Sequence, residues 1–273
     1  MISINFHLYK PCDARCTFCF ATFRDVDGHL PLADATRLLD ALRAAGGEKI
    51  TFAGGEPTLH PHLGELLRHA RGHGFVTSIV TNGSQLAQVL DDHPGALDWA
   101  ALSVESAIER VQRSLGRGRG DHVQRIRVLG ARCHAEGVRL KLNTVVTALN
   151  CDEDMSDLVR ALRPERWKVF QVLRVEGQND GRVEPLLISR ERFRAFVERH
   201  ASLAAAGIDV VPEDNDAMED SYVMIDPLGR FYGNHGGRHV VSDPILATGV
   251  TEALAQVGYV AEKFEARGGR YAW

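Results

Sequence analysis

The chain has 273 residues, 44% of them hydrophobic and 25% charged, proportions that suit a globular protein with a sizeable core and not a disordered one. A formal net charge of -4 and a sequence pI near 6.3 argue against a nucleic-acid backbone as the main partner, because phosphate neutralisation calls for a basic domain. No apolar run approaches the ~18 residues of a membrane span, residues 1–10 are too short and polar for a signal peptide, and an odd set of five cysteines does not suit a secreted disulfide framework, so a cytoplasmic protein with no membrane partner is expected.

In chain order, SINFHL at 3–8 reads as the first strand, and Cys12, Cys16 and Cys19 follow it directly. PLADATRLLDALRAAG then carries Leu38, Leu39, Leu42 and Ala45 at helical spacing. ITFA at 50–53 is the second strand; Gly54-Gly55-Glu56-Pro57 comes next, then a helix bearing Leu63, Leu66, Leu67 and Ala70. Strands at 77–81, 100–105, 141–146 and 168–173 complete six, each with a helix candidate beside it. Cys133 falls in register with Val123, Ile126 and Leu129 and reads as core. Beyond residue 174 the pattern loosens into a charged loop, a helix near 189–205 and a Gly-rich, strand-poor tail.

Strands separated by helices need right-handed crossovers and become parallel neighbours. The expected fold is therefore α/β, a partial (βα)6 TIM-like barrel over residues 1–180, with residues 181–273 as a C-terminal extension that closes the barrel as a lid. Chemistry in such barrels gathers at the C-terminal ends of the strands. The cysteines, Gly54-Gly55-Glu56 and Asn82-Gly83 would converge there.

The cysteine spacing is Cys-x3-Cys-x2-Cys, with Phe18 just before the last. Three thiolates leave one iron of a four-iron cube open to a small molecule. Structural zinc is the alternative, but it wants four closed ligands, and the fourth would have to be His7 or His29. Period-two alternation puts Lys141 and Asn143 on one face of the fifth strand and Arg166 and Lys168 on one face of the sixth, with Leu140, Leu142, Trp167 and Val169 opposite. The apolar faces would pack on helices, which turns the cations inward; Lys49, in register with Thr51 and Ala53, joins them. Inward cations need anionic partners, and no acid shares these strand faces, so an anionic ligand or a carboxylate from elsewhere must serve.

The cysteine motif after a first strand and the Gly54-Gly55-Glu56-Pro57 segment after a second resemble the radical S-adenosylmethionine superfamily. SINFHLYKPC at 3–12, GEKITFAGGEP at 47–57, SIVTNGS at 78–84, LGRGRG at 115–120, KLNTVV at 141–146, RWKVFQVLRVEGQN at 166–179, DSYVMID at 220–226 and RGGRYAW at 267–273 narrow the resemblance to the viperin family, over essentially the whole chain. The resemblance implies a [4Fe-4S] cluster held by Cys12, Cys16 and Cys19, with S-adenosyl-L-methionine on the open iron. It places Phe18, Gly54, Gly55, Glu56, Asn82, Ser103 and Arg117 around that cofactor. Asn5, Lys49, Lys141, Asn143, Arg166 and Lys168 fall to the substrate, and Tyr222 to a catalytic place beside the reacting ribose. The implied activity is radical dehydration of a nucleoside triphosphate (CTP, UTP or GTP) to its 3'-deoxy-3',4'-didehydro analogue, in antiviral defence, with electrons from a donor such as flavodoxin or ferredoxin.

Other readings stay open on sequence alone. Asn82 also suits a helix N-cap, Arg117 a solvated loop, His7 a core histidine and Tyr222 a buried tyrosine. A peptide maturase or an activating enzyme would share the radical core, although the tail has no cysteine after Cys151 for extra clusters. The amphipathic N-terminal helix of animal viperins has no counterpart here, so membrane association is not carried over.

Overall fold

The framework begins with six parallel strands, β1 (Ser3–Tyr9), β2 (Lys49–Gly54), β3 (Val76–Thr81), β4 (Trp99–Ser103), β5 (Arg139–Val146) and β6 (Arg166–Gln171). The computed structural model describes residues 2–273. Helices α1 (Leu32–Ala44), α2 (Leu63–Gly72), α3 (Leu86–Asp92), α4 (Glu109–Ser114), α5 (His122–Ala135) and α6 (Ser156–Leu162) make the crossovers. Each strand is two-faced. Ile50, Phe52, Ile79, Leu140, Leu142, Trp167 and Val169 are fully buried against the helices, where Leu38, Leu39, Leu42, Leu66, Leu67 and Cys133 meet them. Burying each such side chain contributes roughly 1.5–3 kcal/mol, so the outer layer fixes which strand face turns inward.

The tail differs from expectation. It supplies four more strands, β7 (Asp209–Glu213), β8 (Val223–Ile225), β9 (Arg230–His235) and β10 (Arg238–Pro244). The single sheet runs β10-β9-β8-β1-β2-β3-β4-β5-β6-β7, an open partial barrel with β7 and β10 as its edges. Strand β7 contains Pro212, which an edge strand tolerates because one side of its backbone needs no ladder partner. Strands β9 and β10 form a hairpin in which His235 pairs with Arg238, leaving the positive-φ pair Gly236-Gly237 as the turn. Among the described residues no helix is long and apolar enough to cross a membrane.

Candidate active site

The inward strand faces enclose a cavity of about 1190 Å³, and every residue singled out from the sequence lines it. The cysteine loop sits at one end and the four cations at the other. Backbone contacts build the first end. As β1 runs out, Gly55 N donates to Tyr9 O at 2.6 Å and Glu56 N to Pro11 O at 2.9 Å. The approach is close enough that a Cβ on Gly55 would lie 2.2 Å from Lys10 O, which is why glycine stands there. From the other side Arg15 N donates to Gly116 O at 2.9 Å and Thr17 N to Leu115 O at 3.1 Å, so the LGRG segment grips the cysteine loop. Gly116 has φ +83, and a Cβ there would meet Arg15 O at 2.1 Å.

Polar side chains stiffen this end. The Glu56 carboxylate is buried and accepts from Thr58 Oγ1 (2.7 Å), Thr81 Oγ1 (2.6 Å) and Asn82 N (2.7 Å), so it ties β2 to β3 as well as facing the cavity. Burial nonetheless pushes its proton affinity up. Asn82 Oδ1 accepts from Ser84 N at 2.8 Å while Nδ2 donates to Asp13 at 2.7 Å; it turns the chain after β3 but does not cap α3, whose N-cap residue is Gln85. Arg117 is not in a solvated loop: its side chain is 11% exposed, pairs with the buried Glu105 carboxylate, and lies 5.8 Å from the Phe18 ring. Glu105 went unnoticed in the sequence, since nothing local marks its partner.

The three thiols fit a cluster better than one ion. Four sulfurs around a zinc at ~2.3 Å sit about 3.8 Å apart, whereas among the described residues these three Sγ atoms are not gathered within 4.8 Å of one another. Nor do His7 and His29 close the set: His7 packs on Phe23 and Tyr232, and His29 Nδ1 meets Leu30 O at 3.0 Å. Burial pushes the thiols up, Cys12 to about 11 and Cys16 to about 12, with Arg117 opposing the rise at Cys16. Metal loading must therefore displace protons, and it is expected to be favoured by alkaline pH.

At the other end the cations divide into two pairs. Arg166 donates to Asp209 (2.7 Å) and to Gly268 O (2.6 Å), and Lys168 pairs with the fully buried Glu213 at 2.7 Å. Both acids stand on β7, a strand absent from the sequence reading, so carboxylate partners do exist for half of the set. Lys49 and Lys141 are different. Among the described residues neither ammonium has a carboxylate within ion-pair reach; both Nζ atoms meet the Tyr271 hydroxyl, and they lie 5.3 and 4.6 Å from the Trp99 ring centroid. Burial pushes both down, Lys49 to about 7 with the charges of Lys168, Arg166 and Arg139 adding to it, and Lys141 with Lys49 itself adding to it. Asn143 beside them has a buried Oδ1 without a protein partner.

A pH prediction follows from the sign of that shift. Below pH 7 Lys49 is already charged, so an anion binds without taking up a proton there. Above pH 7 binding must protonate it, and affinity for a polyanion is expected to fall by up to about tenfold per pH unit for each such lysine. Equilibrium dialysis of a triphosphate between pH 6 and 9 checks this; a flat profile refutes it.

Tyr222 lines the cavity beside the Lys168–Glu213 pair. Its hydroxyl meets Glu213 and lies 2.5 Å from Lys168 Nζ, and the Arg267 guanidinium stacks 3.6 Å from its ring centroid. Glu213, Arg267 and Tyr271 are the residues the sequence reading missed here.

The sequence model of the Radical SAM superfamily matches residues 8–162. A protein of Flammeovirga pacifica named S-adenosylmethionine-dependent nucleotide dehydratase is 43% identical over 281 residues, covering 99% of this chain and 96% of that one. The S-adenosylmethionine-dependent nucleotide dehydratase RSAD2 of Danio rerio is 38% identical, covering 99% and 78%. Among solved structures, Streptococcus suis SuiB bound to S-adenosylmethionine superposes with a TM-score of 0.69 at 18% identity, over 84% of this chain and 59% of that one, a likeness of fold alone.

Proposed function

We infer that this chain, which belongs to the viperin family of S-adenosylmethionine-dependent nucleotide dehydratases within the radical S-adenosylmethionine superfamily, removes water from the ribose of a nucleoside triphosphate to give the 3'-deoxy-3',4'-didehydro analogue. The observation that carries the triphosphate is the Lys49–Lys141 pair. Two buried ammonium groups facing one phenol oxygen lack a counter-anion, and a polyphosphate supplies several. Arg166, Lys168 and Asn143 extend the same wall, and Asn5 on β1 faces the nucleoside.

Cys12, Cys16 and Cys19 hold the [4Fe-4S] cluster in this reading, and the cluster with S-adenosyl-L-methionine supplies a radical that takes the ribose 4' hydrogen. Gly54, Gly55, Glu56, Asn82, Ser103 and Arg117, with Phe18, position and shield that cofactor, and the guanidinium fork suits a carboxylate. The chain's remaining tasks are to align the ribose, exclude water and deliver a proton at Tyr222. Residues 181–273 act as the extension that closes the barrel over the substrate. Thiolate ligands suit a reducing cytoplasm, where a flavodoxin or ferredoxin would donate electrons. An antiviral role follows if the product terminates viral RNA chains.

The test is to reduce anaerobically reconstituted enzyme with S-adenosylmethionine and CTP, UTP or GTP in turn, and to analyse products by mass. A nucleotide lighter by one water, formed with 5'-deoxyadenosine, is the expected result. Release of 5'-deoxyadenosine without a dehydrated nucleotide from any of the three would overturn the substrate assignment in favour of a peptide-directed enzyme.

A further inference from the structure

We propose that Glu213 is a positioning residue that couples triphosphate binding to proton delivery through Tyr222; the proposal rests on the dehydratase reading above. Glu213 is fully buried at the inner end of β7. Its Oε1 accepts from Lys168 Nζ at 2.7 Å and from Arg267 Nη1 at 3.2 Å, and its Oε2 accepts from the Tyr222 hydroxyl. Lys168 from β6, Arg267 from the C-terminal segment and Tyr222 from the loop before β8 are the titratable and charged groups that face it. Arg166, the next cation, is turned to Asp209 and Gly268 O.

The reaction sets a requirement that this arrangement meets. The 4' hydrogen leaves with the 5'-deoxyadenosyl group. The 3' oxygen then departs with its bonding pair as hydroxide and needs one proton to become water, and the remaining ribose radical cation takes one electron from the reductant. One proton per turnover must therefore come from the protein. Tyr222 alone would be left as a phenolate next to a carboxylate, which is unfavourable in a buried site.

Glu213 supplies the alternative. In the ligand-free site burial raises its proton affinity, but Lys168, Arg267 and the Tyr222 hydrogen bond outweigh burial and keep it ionised. A triphosphate competes for Lys168. Once Lys168 turns to phosphate, Glu213 keeps only Arg267 and takes up a proton. During elimination the Glu213 O–H bond breaks as its proton passes to Tyr222 Oη, and Tyr222 passes its own proton to the departing hydroxide. Tyr222 ends unchanged and Glu213 ends as carboxylate. Proton delivery is thereby ready only when a triphosphate is seated.

Glu213→Gln keeps the shape and one acceptor but can neither hold the charge nor the mobile proton. Calorimetric titration of unreduced, cluster-loaded enzyme with CTP, UTP or GTP, whichever wild type dehydrates, in two buffers of different ionisation enthalpy reads proton uptake directly. Lys49, Lys141 and the phosphate itself contribute in both proteins, so the difference is what counts. Wild type is expected to take up more, by as much as one proton per site. Lys168→Gln, which removes the competed cation, should lose the same increment and serves if Glu213→Gln does not fold. Under turnover Glu213→Gln should form at least about tenfold less dehydrated nucleotide per 5'-deoxyadenosine, and Glu213→Asp should recover part of it. Equal proton uptake, or an unchanged product ratio, overturns the coupling. So does a parallel fall of iron, affinity and 5'-deoxyadenosine at a constant ratio, which marks a structural residue. If wild type dehydrates no triphosphate, the dehydratase reading itself has failed.

Discussion

Cys16→Ala protein, reconstituted and purified without oxygen, is expected to lose its four-iron cluster and with it more than 99% of 5'-deoxyadenosine formation, an effect on the order of 3 kcal/mol or more if read as a rate. Neither histidine that could stand in is free to do so: His7 is packed among aromatic rings and His29 is engaged with Leu30 O. Two thiolates leave two irons of the cube open and exposed to exchange. The fold should persist. Cys16 is half-buried beside a small satellite cluster with Phe18, Leu115 and Val172, away from the main core, and trimming such a side chain costs about 1 kcal/mol against a total of roughly 5–15. Thermal melting of the metal-free proteins should therefore coincide within a few degrees while iron analysis separates them. Wild-type yields of 5'-deoxyadenosine from the variant would refute the cluster assignment.

What the sequence disclosed follows the physics of each segment. Strands β1 to β6 were legible because helices cover one face, which forces strict alternation: Leu140, Leu142, Trp167 and Val169 outward, Lys141, Asn143, Arg166 and Lys168 inward. The same alternation named the cations of the cavity wall without any knowledge of the fold's closure. Strand β7 stayed hidden because DVVPE is short, half-exposed and broken by Pro212, and β8 has only three residues. The Gly236-Gly237 turn between YGNH and RHVV was a readable hairpin signal that the glycine-rich tail obscured. Glu213 was invisible for a deeper reason. Its meaning lies in Lys168, Tyr222 and Arg267, which reach it from separate elements, just as Tyr271 reaches Lys49 across 222 residues. Pairing at that range is set by packing, and a local pattern carries no trace of it.

Lys141→Ala is expected to weaken triphosphate binding by about tenfold to a hundredfold near pH 6.5, since a charge-assisted contact of roughly 1.5–3 kcal/mol is removed and ~1.4 kcal/mol is a factor of ten. The fold should gain and not lose, because in the ligand-free cavity Lys141 and Lys49 repel each other across the Tyr271 hydroxyl and burial opposes both charges. Loss of one titrating group also changes the pH profile. Wild type has two buried lysines with lowered proton affinity that must be charged to hold phosphate, so its affinity should fall steeply as pH rises. The variant has one, so its decline should be shallower. The ratio of wild-type to variant affinity should therefore shrink as pH rises, which simple loss of a permanently charged contact would not produce. If this pair holds the distal phosphates, nucleoside monophosphates should discriminate little between the two proteins. Dissociation constants for mono- and triphosphates, taken with both proteins near pH 6.5 and 8.5, decide it. A ratio independent of pH would show that Lys49 and Lys141 do not share their protons, and equal loss for mono- and triphosphate would remove this pair from the distal phosphate site.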